Sequence, residues 1–150
     1  MKNYFLFLVV PLIVLIAGCG TLGSFKVMNF SVDKHQLSLA IDSIYKNYPN
    51  YKIPEKWKYL DSWDERGYGF LDSRIFYFKD SPEEMYYVTF RGGKKASLNT
   101  PASISIRAVS SGKGKWLVQD DLDDKECERI EFRFESEILS KIKYTYYKSD

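Results

Sequence analysis

The stretch that decides the fold runs Tyr68-Gly69-Phe70-Leu71-Asp72-Ser73-Arg74-Ile75-Phe76-Tyr77-Phe78-Lys79, then Asp80-Ser81-Pro82-Glu83-Glu84, then Met85-Tyr86-Tyr87-Val88-Thr89-Phe90-Arg91. Its two flanks are rich in Tyr, Phe, Ile and Val, side chains that pack well on a pleated, half-buried surface. The five residues between them carry Asp, Ser and Pro, which favour a turn. The stretch therefore reads as an antiparallel hairpin. Side chains alternate across a strand, so Phe76, Tyr77 and Phe78, facing Tyr86, Tyr87 and Phe90, put rings on both faces. One face must pack on helices. The other, if open to solvent, is a Tyr-rich patch suited to a protein or a lipid-like ligand.

Downstream, Ala102, Ile104, Ile106 and Ala108 alternate with Ser103, Ser105 and Arg107, the period-two pattern of a half-buried strand. Ser111-Gly112-Lys113-Gly114 then turns the chain into Trp116-Leu117-Val118, a second hairpin. Upstream, Leu37, Ile41, Ile44 and Tyr48 recur at helical spacing, which predicts a helix over 31–48. Ser31 or Asp33 can cap its start and Pro49 ends it. Before it, Phe25, Val27, Phe30 and Val32 suggest a short opening strand. Residues 50–66, with Pro54, Trp57, Tyr59 and Trp63, read as a packed connection with a strand near Trp57 to Leu60. From about Asp121 to Tyr144, Cys127, Ile130, Phe134, Ile138 and Ile142 form one helical stripe. Asp121, Asp123 and Asp124 at its start, and Lys141, Lys143 and Lys148 near its end, suit the helix dipole. The expectation is an α+β fold: a small antiparallel sheet of about four strands, flanked by an N-terminal and a C-terminal helix on one face.

The chain has 150 residues and carries 12 Tyr, 10 Phe and 3 Trp, enough aromatic area for one well-buried core. It holds 22 Lys and Arg against 20 Asp and Glu. A nucleic-acid binder normally shows a clear basic excess, so this balance argues against one.

The first residues are organised differently. Met1-Lys2-Asn3 is a short positive start, and 4–17 is an almost unbroken apolar run with Pro11 inside it. As a helix that run would span about 21 Å, short of the ~30 Å hydrocarbon core of a bilayer. It suits a signal peptide better than a permanent span. It ends in Leu15-Ile16-Ala17-Gly18-Cys19, which resembles the lipobox of bacterial lipoproteins. The resemblance implies removal of 1–18, a diacylglyceryl thioether on Cys19 and, in many bacteria, N-acylation. It also implies an outer-membrane destination in a two-membrane host, since Gly20 stands where Asp would signal retention. Residues 19–24 then form a lipidated cysteine and a short tether, and 25–150 a single domain. With Cys19 so consumed, Cys127 has no partner for an intrachain bridge and reads as a small core residue.

No constellation of catalytic or metal-binding residues stands out. His35 is the sole histidine and falls on the wet side of the first helix. Cys127 is flanked by Glu126 and Glu128, which disfavour a thiolate. The acidic run from Asp120 to Glu128 fails the calcium-loop pattern, because its fifth and sixth positions, counted from Asp121, are Lys125 and Glu126. The basic turns 91–95 and 112–115 lack the spacing of a phosphate-binding loop. A carboxylate pair for hydrolysis would be sought among Asp61, Asp64, Glu65 and Asp72. No cofactor is expected. The sequence is thus read as a membrane-anchored, non-enzymatic module that binds another envelope protein. The residues expected to serve that contact are Phe76, Tyr77, Phe78, Tyr86 and Tyr87, with Lys94, Lys95 and Lys113 at the turns. An immunity-type lipoprotein that neutralises a toxin, and a carrier of a small apolar ligand, are the alternatives.

Overall fold

A computed structural model describes residues 25–92 and 101–149. The leader 1–18, Cys19 and its tether, Lys94 and Lys95 lie outside the described residues.

The fold is α+β, built on one open antiparallel sheet with strand order β2-β3-β4-β1-β5. The strands are β1 (Val27–Phe30), β2 (Asp72–Phe78), β3 (Glu84–Arg91), β4 (Ala102–Ser110) and β5 (Tyr146–Ser149). Helix α1 (Lys34–Asn47) follows β1, and α2 (Asp124–Glu137) precedes β5. The hairpin read from the sequence is present, with Phe76 opposite Tyr86 and Ile75 opposite Tyr87.

Each helix starts where a side chain can satisfy free backbone donors. Asp33 caps α1 by accepting from the Gln36 amide at 2.8 Å, and Gln36 returns the bond to the Asp33 amide at 3.3 Å. Asp123 caps α2, accepting from the Glu126 amide at 2.9 Å. Leu37, Ile41 and Ile44 of α1 and Ile130 and Phe134 of α2 share one core with Phe30, Phe76, Phe78, Tyr86 and Ile104. Both helices therefore cover the same sheet face.

Several expectations are corrected. Residues 55–60 form a short helical turn rather than a strand, with Trp57 and Leu60 pointing to the sheet. The second hairpin shrinks to a single bridge between Val109 and Leu117, because the next residue is taken up by a helical turn: the Val118 amide donates to the Asp121 carboxylate at 3.0 Å and its carbonyl accepts from the Asp121 amide at 3.0 Å. The last helix stops at Glu137, and the chain continues through a helical turn at Leu139–Lys141 into β5. Tyr144-Thr145-Tyr146-Tyr147 is strongly strand-forming, and it pairs along β1. Ala108 also leaves the face of Ile104 and Ile106. A bulge sets Tyr87 against Ala108 but Val88 against Ile106, so Arg107 is the extra residue and Ala108 turns to the opposite core.

Gly112 and Gly114 have nearly equal left-handed backbones, φ +76° and +77°. Only Gly112 lies under the indole of Trp57, where an added Cβ would come within 2.0 Å of the ring. Gly114→Ala should therefore lose only the backbone term, about 1–2 kcal/mol. Gly112→Ala should lose about 1–3 kcal/mol more, since Trp57 must shift off the sheet. Paired urea denaturation curves read the difference.

Candidate functional site

The hairpin rings expected to form a binding patch are all buried, and the two faces bury them differently. Phe76, Phe78 and Tyr86 pack under the helices, where Phe76 meets Phe134 edge-on at 5.5 Å between centroids. Tyr77 and Tyr87 face the other way, with Ile75 and Met85, and the connection between α1 and β2 folds over them. Trp63 stacks on Tyr87 at 3.9 Å with the rings 9° from parallel. Trp57 stands edge-on to Tyr77 at 5.5 Å. Trp116 closes the layer by donating its indole N–H to the Leu60 carbonyl at 3.1 Å. Phe76, Tyr77, Phe78, Tyr86 and Tyr87 are thus core residues, and the expectation that they meet a partner is corrected. Leaving those rings in water would forfeit the burial that three tryptophans and a leucine supply.

The sheet is clamped to α2 through Glu84, a carboxylate only 5% exposed. Arg129 grips it with two bonds of 2.6 and 3.0 Å, Arg133 adds one at 3.2 Å, and the Tyr86 hydroxyl donates at 3.1 Å. Arg133 also donates to the Asp80 carbonyl at 2.9 Å and lies over the Phe78 ring. The β2–β3 turn, the strand and the helix are joined by one carboxylate. Burial, and then the neighbouring Glu84 charge, hold the Tyr86 hydroxyl far above the ordinary tyrosine range. Every partner in this cluster is satisfied by another, which is the pattern of a structural tie.

The remaining candidates are scattered. His35 is exposed on α1 beside Lys34 and Ser38. Cys127 is half-buried with its thiol raised by burial and then by Glu131 and other acids, so it is a poor nucleophile. Of the acidic run, Asp123 is spent on the α2 cap, and Asp121 accepts from the Val118 amide at 3.0 Å. Among the described residues, no three His, Cys, Asp or Glu side chains are placed to hold a metal ion. Asp72 is engaged by Lys34 and Arg74, each at 3.1 Å. Asp61 and Asp64 do line a common cleft of about 460 Å³ beside β2, with Lys52, Lys58 and Arg74. Burial, then Asp64, raises the Asp61 carboxyl. Tyr45, Ile53 and Ile75 also line the cleft, which thus mixes charged and apolar walls. Lys113 is exposed on its turn.

The two sheet edges differ. At β2 the Tyr45 hydroxyl caps the Ile75 carbonyl, and Arg74 bonds the Ser73 carbonyl at 2.8 Å. At β5 no described residue pairs on the outer side. Tyr147 of that strand is 58% exposed. The sequence reading missed this edge because it placed 138–144 on the helical stripe; the Tyr-Thr-Tyr-Tyr run was the available signal.

No family model matches the chain, and neither the curated proteins nor the solved structures contain a match to it.

Glu84→Gln should destabilise the fold by about 3 kcal/mol, since it leaves two guanidinium groups short of a buried counter-charge; chemical denaturation measures the loss. Asp61→Asn should act oppositely and depend on pH. A carboxyl with a raised folded-state pKa penalises the fold once ionised, so the variant should melt higher at pH 7. That gain should disappear below about pH 4, where both states protonate the acid.

Proposed function

We propose that this chain is a lipid-anchored protein of the bacterial cell envelope whose domain acts by binding another protein, not by catalysis. The observation that carries the reading is Leu15-Ile16-Ala17-Gly18-Cys19 at the end of an apolar run too short to span a bilayer. Cleavage there leaves Cys19 as the terminus, and two or more acyl chains on it anchor a protein stably. No helix among the described residues is long and apolar enough to cross a membrane.

The distance from anchor to fold supports a role close to the lipid. The Phe25 amide already donates to the Ile106 carbonyl at 3.1 Å, so the domain begins six residues after Cys19. At about 3.3 Å per residue the intervening chain reaches roughly 20 Å. The domain therefore works against the membrane surface, facing the periplasm if the host has an outer membrane. With both aromatic faces of the hairpin covered, the surface best suited to protein contact is the outer edge of β5, on which no described residue pairs.

Intact-mass analysis of the chain purified from membranes tests the anchor. The expected species starts at Cys19 and carries the mass of its acyl chains; an unmodified mature terminus overturns the reading. Crosslinking in intact membranes tests the binding role, which predicts a discrete adduct.

A further inference from the structure

We infer that the outer edge of β5, on which no described residue pairs, joins β5 of a second copy of this chain in a register centred on Tyr147. The inference rests on the reading of the domain as a protein-binding module at a membrane, and names the partner of its β5 edge.

The register follows from which backbone groups β1 already uses. β1 and β5 pair with Asn29 opposite Tyr147 and Phe30 opposite Tyr146, and the Ser31 amide donates to the Thr145 carbonyl at 3.3 Å. Hydrogen-bonded and non-hydrogen-bonded pairs alternate in an antiparallel ladder. Thr145, Tyr147 and Ser149 therefore spend their backbone groups on β1, and Tyr146 and Lys148 turn theirs outward. An antiparallel second copy can meet all four outward groups at once when Tyr146 of each copy faces Lys148 of the other. Tyr147 then lies opposite Tyr147 in a non-hydrogen-bonded pair, where side chains approach most closely and aromatic pairs are favourable. The strand's one cation faces a tyrosine. A register centred on Lys148 would instead oppose two like charges, which is unfavourable.

The surroundings of the edge are compatible with the same axis. Tyr146 donates to Glu135 at 3.2 Å and Lys148 pairs with it at 2.5 Å, so α2 lies beside the edge on the core face. A two-fold axis normal to the sheet brings both copies of α2 to one side of the joint. There Phe132, 72% exposed, borders a groove walled by Lys26, Glu128, Glu131 and Lys148. Mixed signs on one wall can face their opposites on the symmetry mate. The opposite edge is closed to this kind of pairing by Tyr45 and Arg74. A four-residue joint buries little compared with the 1,200 Å² or so of a standard stable interface. It is weak in dilute solution and gains from two anchors sharing one membrane, which raises the effective concentration.

The test uses the full-length chain in its own membranes, carrying Cys127→Ser, with single cysteines introduced by Tyr147→Cys, Ser149→Cys or Tyr59→Cys, followed by mild oxidation. Tyr147→Cys should yield a disulfide-linked dimer at twice the chain mass. Ser149→Cys, which faces position 145 of the second copy, and the exposed control Tyr59→Cys should not; nor should the parent with Tyr147 intact. Adding Lys148→Pro removes an outward donor without touching the β1 ladder, and should cut the Tyr147→Cys dimer about tenfold or more. Equal dimer from Tyr59→Cys, or a dimer that survives Lys148→Pro, overturns the inference. If a chemical crosslinker joins the chain to a different protein and Tyr147→Cys gives no dimer, self-pairing is overturned while the protein-binding reading stands. If neither treatment gives any adduct, both fall.

Discussion

A β-hairpin with aromatic rings on both faces cannot stay wet on one side, and most of this structure follows from that constraint. Phe76, Phe78 and Tyr86 demand one cover, and Tyr77 and Tyr87 demand another. The helices supply the first. The second comes from the least regular part of the chain, the connection between α1 and β2, which contributes Trp57, Leu60 and Trp63 in short helical turns. Each buried aromatic contributes about 2–3 kcal/mol of transfer free energy. That is a large return for ordering a connection whose backbone forms only local bonds. The result is three layers rather than two, with the sheet enclosed over the β2–β3 half and both helices on one side.

Two polar devices hold the layers in register. On the helical side Glu84 draws Arg129 and Arg133 onto the strand, and Arg133 reaches the β2–β3 turn. On the other side Trp116 spans to the Leu60 carbonyl, and Gly112 makes room for Trp57 by lacking a side chain. The bulge at Arg107 connects the two. By shifting the alternation of β4, it lets Ile104 and Ile106 face the helices while Ala108 fits under the tryptophan layer, where a larger residue would lift the indoles.

The regular parts of this architecture were legible in the sequence. The hairpin, α1 with its Asp33 cap and Pro49 stop, and the acidic start of α2 all rest on local signals: strand-forming runs, capping side chains and helical spacing. What escaped was non-local. Ile138 and Ile142 continue the helical stripe and are indeed buried, but through a tighter turn. Whether 144–149 is helix or strand depends on β1, more than a hundred residues upstream, which offers an edge to pair with. The openness of the tyrosine face was equally undecidable from the hairpin alone, because it depends on where residues 55–68 fold. Lys113 is placed where the turn reading put it, whereas Tyr77 and Tyr87 are not, and the difference is the tryptophan layer.

Enclosing the rings takes both faces of the hairpin out of water and leaves the edges of the sheet to be accounted for. The two edges of the sheet are treated unequally. Tyr45 and Arg74 use side chains to satisfy β2 carbonyls that would otherwise recruit another strand, the usual protection against unwanted pairing. β5 has no such cap among the described residues. Its Lys148 is drawn back over α2 by Glu135 rather than pointing across the edge as a guard. An exposed edge is a hazard for a freely diffusing protein, since any extended chain can dock on it. A strand of four residues offers such a chain few bonds, so a short edge carries less of that hazard. Among the described residues, β5 is thus limited by its shortness, whereas the seven-residue β2 carries side-chain caps.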